Sequence, residues 1–357
     1  MRYKILLLLV VSTCFLFCSA LAESDVGTGI CLEEALSAFG DDGKPEILYK
    51  GRTRVSLNMR SENDKNSTSL GVLKEGAIVH VFGFDQYWLY CWDEEVGVYF
   101  LIRAYVDIEE TVSPDAAPYG VLQNRYVAVT SQDTIMRASP DENAEAIEEY
   151  PADTRLSIWY IRDGWAAIPY KRVVGYIYVG HLKELTPVSP TAEYAQDGDI
   201  IAAFTTFYSV DRTELNIGRM ENIRVGCEYI SKTYLPGEEF NFNQIAGPYR
   251  KTRGYMPSPV LIDGGTVAGY GGGTCQISTT LYNALLQACD GITILWRRPH
   301  GPGGAKYAPH GVDAAVGATN LNLIFRNDYD FPITIDSTVQ NGSLCICIRK
   351  GAAGSAK

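Results

Sequence analysis

The chain repeats itself. Residues 53–108 and 126–185 share one period: Met59-Arg60 returns as Met136-Arg137 and Trp88 as Trp165, each 77 positions on, with Gly97 returning as Gly175 after 78. Agreement across several residue types marks a duplicated structural unit, and one extra loop residue accounts for the mismatch. Each copy consists of short β-branched and aromatic runs, such as KEGAIVHVFG and DTRLSIWY, separated by Gly, Asp and Asn. Such runs predict strands meeting turns, and two such units predict two small, mostly antiparallel barrels. Trp88 and Trp165 fit semi-buried packing in this setting, because an indole buries a large apolar area; the other reading places them along a recognition groove.

The Met-Arg opening, a polar loop, the KEGAIVHV or ADTRLSIW strand, then a tryptophan, a glycine and a closing aromatic strand resemble bacterial SH3-type domains. The resemblance implies one such domain at 53–110 and a second at 123–187, and it implies binding to cell-wall peptidoglycan. The copies differ after the shared glycine, with Val98-Tyr99 in one and Tyr176-Ile177 in the other.

Arg2 and Lys4, the run ILLLLVV, and Ala20-Leu21-Ala22 before Glu23 read as a secretory signal peptide over residues 1–22. A leader region (23–52) precedes the repeats, and PVSPTAEY, starting at Pro187, leads into an expected linker, 188–199, where proline restricts the backbone. No later run is long and apolar enough to span a bilayer. The 31 basic and 42 acidic residues give a net charge of −11, which disfavours sequence-independent nucleic-acid binding. Seven cysteines follow the signal peptide: Cys31, Cys91, Cys227, Cys275, Cys289, Cys345 and Cys347. An odd number in an exported chain leaves at least one thiol free or paired between chains. In a strand, Cys345 and Cys347 point to one face and do not bond each other. The cysteine spacing and the four histidines suit no zinc site.

The region from about 200 to 350 changes character. DIIAAFTTFY predicts a strand. Ile217, Met220, Ile223 and Cys227 recur at helical spacing, and NLNLIF, FPITIDSTV and GSLCICIRK predict three more strands, so the fold class here is α+β. In GGGTCQISTTLYNALLQACDG a helix opening near Gln276 and ending near Asp290-Gly291 puts Cys275 at its positive end, where a thiolate is stabilised. Ser278, Thr279 and Tyr282 share the helical side of Cys275, either to position a ligand or to bond local carbonyls; Leu281, Leu285 and Cys289 form the apolar side. A nucleophilic cysteine needs a base. His300 and His310 both follow, with Asp313 to orient the ring, and Arg297 and Arg298 suit a carboxylate. The ligand-binding candidates are Gly272, Gly273, Thr274, Gln276, Ser278, Tyr282, Arg297 and Arg298, with loop amides offered to an oxyanion.

Several ordered motifs, NIRVGCEYISKTYLPGEEFNFNQIAGPYRKTRGY, VAGYGGGTCQISTTLYNALL and RRPH…YAPHGVDAAVG, closely resemble the VanW-like family over residues 202–327. The resemblance marks Pro236-Gly237-Glu238, Phe240-Asn241-Phe242-Asn243, Gly247-Pro248, Arg253-Gly254-Tyr255, residues 271–278, Thr280-Leu281-Tyr282-Asn283, His300, Gly311 and Asp313. Arg298 stands where the family motif often has histidine, and His310 where proline is common. The resemblance thus favours His300 over His310 as base. The family is associated with cell envelopes and glycopeptide-resistance loci.

The expectation is a secreted, cell-wall-associated protein whose β-modules bind peptidoglycan or another envelope component and carry a VanW-like domain. The alternative is a cysteine-dependent hydrolase or acyltransferase on peptidoglycan peptides, with Cys275, His300 and Asp313 catalytic. The expected partners are a cell-wall peptide, peptidoglycan or an envelope protein, with no cofactor, no metal, no nucleic acid and no membrane insertion after leader cleavage.

Overall fold

Short strands alternate with glycine- and aspartate-bearing turns through the first half of the chain, and the computed structural model assembles them into three antiparallel sheets. The structure describes residues 36, 39–40, 43–84, 88–113, 123–189, 192, 195–262, 265–288, 291–300, 305–309, 312–317 and 320–352. The expected signal peptide, Cys31, Cys289 and His310 lie outside them. No helix among the described residues is long and apolar enough to cross a membrane.

The first module is one seven-stranded sheet running from Tyr49–Thr53 to Val106–Thr111. It buries two clusters of its own, one around Val79, Val81, Leu89 and Leu101, the other around Phe82, Tyr90 and Phe100. The second module divides its strands between a five-stranded and a three-stranded sheet, Tyr126–Thr130 to Leu182–Pro187. The expected barrels are not closed by strand pairing in either module. Bulges interrupt the register, between Lys50 and Gly51 in one copy and between Lys183 and Thr186 in the other, and a bulge bends a strand and breaks its ladder.

The repeat persists in side-chain detail. Arg60 donates to the Ser67 carbonyl and Arg137 to the Ala144 carbonyl, both at 2.8 Å, so each arginine closes the polar loop seven residues downstream. Gly97 and Gly175 are not counterparts. Gly97 opens its strand with φ +80°, whereas Gly175 is extended and makes room for Met136, whose sulfur lies 2.1 Å from where a Cβ would stand. Trp88 is half-buried against the second cluster of the first module, and Trp165 packs edge-on to Tyr178 at 5.8 Å.

The C-terminal domain is α+β, built on a four-stranded sheet whose centre pairs Ile200–Phe207 and Ile333–Gln340 with Ser343–Lys350. Asn341-Gly342, both at positive φ, make the two-residue hairpin turn that matches strand twist. Helices α1 (Glu214–Ile230), α2 (Phe242–Ala246) and α3 (Thr274–Gln287) join Ala202, Phe204, Leu344, Ile346 and Ile348 in one core. The opposite face of the sheet is also covered. Ala203, Cys345 and Cys347 pack with Val127 of the second module, and Phe207 packs with Tyr150 and Tyr170. Hence all eight residues of Ile200–Phe207 are buried, as in a strand covered on both sides. Among the described residues Cys91, Cys227, Cys275, Cys345 and Cys347 are free thiols, and all except Cys275 are buried.

Helix α1 turns a different side inward than the spacing of Ile217 and Met220 predicts. Ile217 is 41% exposed, while Gly218, Asn222 and Gly226 face the domain. A Cβ on Gly218 would stand 2.0 Å from the Pro257 carbonyl oxygen, and one on Gly226 2.4 Å from Ile277. Close approach at Gly218 sets α1 against the Pro257 backbone and at Gly226 against Ile277 of α3, while Ile223, Cys227 and Ile230 enter the core.

Candidate functional site

Helix α3 begins at Thr274, so Cys275 is its second residue. Gly273 caps it at φ +106°, and a Cβ there would stand 2.9 Å from Ile223 and 3.1 Å from the Arg219 carbonyl. Gly272 is similarly confined by the Pro259 carbonyl, and Asn222 donates to the Gly272 carbonyl at 3.1 Å. These glycines therefore let α3 enter beside α1, against the Pro257–Ile262/Gly265–Tyr270 hairpin. The Thr274, Gln276 and Ile277 amides donate to Gly271, Gly273 and Gly273. That leaves the Cys275 amide as the first-turn donor without a protein acceptor among the described residues.

One side of α3 grips the segment 312–316. Ser278 Oγ donates to the Ala314 carbonyl at 2.5 Å, and the Ala314 amide donates to Thr279 Oγ1 at 3.0 Å. Asn283 donates to the Val312 carbonyl at 2.8 Å. At the near end the Val316 carbonyl lies 3.4 Å from Cys275 Sγ. Hydroxyl and amide side chains at helical spacing thus hold a whole extended segment across the helix, and that segment carries Asp313.

Asp313 has 2% of its side chain exposed, and its Oδ2 accepts two bonds from one residue: the His300 amide at 2.8 Å and Nδ1 at 2.6 Å. The grip occupies Nδ1, fixes ring orientation and leaves Nε2 outside the pair. His300 is raised to about 9, first by the Asp313 bond and second by Cys275, against burial. Burial pushes Asp313 up, but the His300 ring and amide outweigh it, and the carboxylate lies below its usual range. Arg297 donates Nε to the Asp313 backbone carbonyl at 2.7 Å, and its guanidinium lies over the Tyr282 ring.

Cys275, His300 and Asp313 therefore come together. Several expected ligand-binding residues are engaged within the protein instead. Gln276 is 1% exposed and bonds Arg219, Thr206 and Phe207; Ser278 and Thr274 are buried. Arg297 and Tyr282 back Asp313, and Arg298 is exposed over Trp296. Motif residues farther off build the frame: Asn241 caps α2, Asn243 holds Leu321 and Gly317, and Tyr255 donates to the Ala246 carbonyl. Arg219, Tyr249 and Tyr307 surround the thiol. Sequence spacing carried no sign of them, since they come from a helix and two loops far apart along the chain.

The arrangement brings a cysteine, a histidine and an aspartate together on an α+β domain, with the thiol at a helix start. Residues 218–349 match the family model described as VanW like protein. A stretch of 134 residues is 35% identical to the uncharacterized protein YoaR of Bacillus subtilis (strain 168), covering 37% of this chain and 43% of YoaR. The C-terminal domain is VanW-like, and the match spans under half the length of that relative. Among solved structures, NlpC2 from Trichomonas vaginalis is 9% identical, with 86% of this chain and 98% of that chain covered at a TM-score of 0.17. An NlpC/P60 family protein from Bacillus cereus ATCC 10987 is 12% identical, with 83% and 93% covered at 0.16. At those TM-scores neither carries an argument.

Proposed function

We propose that the VanW-like domain performs cysteine-dependent acyl transfer, as a hydrolase or acyltransferase on cell-wall peptides, in a secreted protein held at the envelope by its first β-module. The two-point grip of Asp313 on His300, with Cys275 the second group acting on the same ring, carries this reading. Nucleophile, base and orienting carboxylate stand in the order such chemistry needs.

Protonated His300 stabilises a Cys275 thiolate. Sγ attacks the amide carbonyl carbon, forming a C–S bond. The carbonyl electrons move onto oxygen, where the Cys275 amide is placed to donate. As the tetrahedral species collapses, the C–N bond breaks and the amine leaves with the proton from His300. Water or a second amine, deprotonated by His300, then attacks the thioester and restores the thiol. Asp313 remains a carboxylate throughout and holds the imidazolium in place.

Two observations support a role for the first module as the anchor. Its clusters are its own, and its outer strand Ser69–Leu73 leaves Leu70 and Val72 exposed. Tethering at the wall raises the local concentration of peptide at the active centre. Incubation of the full chain with defined peptidoglycan fragments is expected to release or exchange a peptide product and to leave a transient mass increment on Cys275. Both are lost in Cys275→Ser. Equal product formation by the folded variant contradicts acyl transfer, and failure of intact sacculi to retain the full chain contradicts the anchoring role.

A further inference from the structure

Arg219 projects from α1 across the first turn of α3. Its Cγ lies 3.3 Å from where a Cβ on Gly273 would stand, and its Nη2 donates to Gln276 Oε1 at 2.5 Å. Gly273 and Gln276 flank Cys275, so Arg219 crosses the turn that carries the thiol, and Cys275 is among the groups whose charge acts on it. It is half-buried, and no carboxylate among the described residues pairs with it. By contrast Arg155, Arg297 and Arg349 each meet one. Gln276 is neutral and spends its own amide on Thr206 and Phe207. The other groups that face Arg219 are the Tyr208 and Tyr307 phenols and Cys275 itself, and burial, the largest influence, draws the guanidinium below its ordinary pKa.

A guanidinium carries five donors in a rigid fork that matches a carboxylate. Withdrawing such a cation from water without a counter-charge is costly, and an anionic substrate removes that cost when it binds. Arg297, the sequence candidate for this task, is turned toward Asp313, and Arg298 points to solvent over Trp296.

We propose that Arg219 binds the free α-carboxylate of a peptide substrate, placing the adjacent amide at Cys275, so that the domain removes or exchanges a C-terminal residue. This assignment rests on the acyl-transfer reading and narrows it to substrates that end in a carboxylate. The thioester forms on the penultimate residue, and the terminal amino acid leaves as the amine with its proton from His300.

Binding is measured in the full chain carrying Cys275→Ala, so that turnover does not intervene. The probes are the stereoisomers of N-acetyl-alanylalanine and their C-terminal amides, titrated by calorimetry. One free acid is expected to bind about tenfold or more tighter than its amide, the worth of a charge-assisted hydrogen bond. Adding Arg219→Gln removes that preference and Arg219→Lys retains part of it, with unchanged melting temperatures. Equal affinity for acid and amide, binding of neither, or an acid preference that survives Arg219→Gln overturns the assignment. Turnover is read separately with Cys275 intact. Acid-selective binding without release of alanine refutes acyl transfer and leaves the carboxylate site standing. Equal turnover of acid and amide refutes the carboxylate site and leaves acyl transfer standing.

Discussion

The two β-modules descend from one pattern and do different physical work. The first keeps its apolar side chains to itself, in clusters made of residues 36–108. The second shares its core with the VanW-like domain. Phe207 fills a place among Tyr150, Tyr170 and Ile168, and Val127 lies against Cys345 and Cys347. Polar contacts follow the same boundary. The Ser157 amide donates to Thr205 Oγ1 at 2.8 Å, Ser343 Oγ to the Arg155 carbonyl at 2.8 Å, and Arg155 meets Asp336 at 3.2 Å. Of the two copies of the repeat, one packs within itself and the other forms the back wall of the VanW-like domain.

Deletion separates the two most strongly. A chain without residues 43–113 is expected to retain the near-ultraviolet circular dichroism and cooperative unfolding of the remainder. A chain without 126–187 uncovers one whole face of the Ile200–Phe207 sheet and is expected to lose both. Equal tolerance of the two deletions breaks the comparison.

A single side chain gives the next effect. Phe207→Ala removes a ring that the domain's own strand contributes to the core of the second module and is expected to cost about 3–5 kcal/mol, lowering the second module and the VanW-like domain together in one denaturant transition. Phe84→Ala, in the first module, is expected to lower only a separate transition. Should Phe207→Ala split the second module from the domain, the shared core is not a cooperative unit. Arg155→Ala has the smallest expected effect, about 1–2 kcal/mol. Asp336 keeps Arg349 as a partner at 3.2 Å, and chemical denaturation reads the shift.

Much of this architecture is legible in the residues. The 77-residue period located the modules, and the IIAAFTTF run reads as a strand. That run also carried a signal the alternation rule does not use: it lacks a polar face because helices cover one side and the second module the other. That the two modules stay open where the repeat predicts barrels was not legible, since closure depends on bulges that strand propensity does not register. Within the candidate site, Cys275 stood out by its place between a glycine run and a helix, and His300 and Asp313 by the motif that resembles the VanW-like family. Gln276 and Ser278 looked like ligand groups from their place beside the cysteine, yet they bond Arg219 and Ala314. Arg219 was hidden for the opposite reason. It lies 56 residues before the cysteine, on a helix whose approach depends on Gly218 and Gly226 contacting backbone and Ile277.

The reactivity of Cys275 across pH tests the centre most directly. Site-resolved alkylation of the native chain by iodoacetamide, read by peptide mass spectrometry, is expected to label Cys275 well ahead of the buried Cys91, Cys227, Cys345 and Cys347. His300 is held up to about 9, so the imidazolium persists through neutral pH and is lost as pH rises through that value. The Cys275 rate profile is therefore expected to inflect near there. In Asp313→Asn, which removes the largest contribution to the shift, the inflection moves down toward the ordinary histidine value of about 6.5. In His300→Ala the step linked to the imidazole is absent. A Cys275 that labels no faster than the buried thiols, or a profile unchanged by both substitutions, contradicts a cysteine–histidine–aspartate centre.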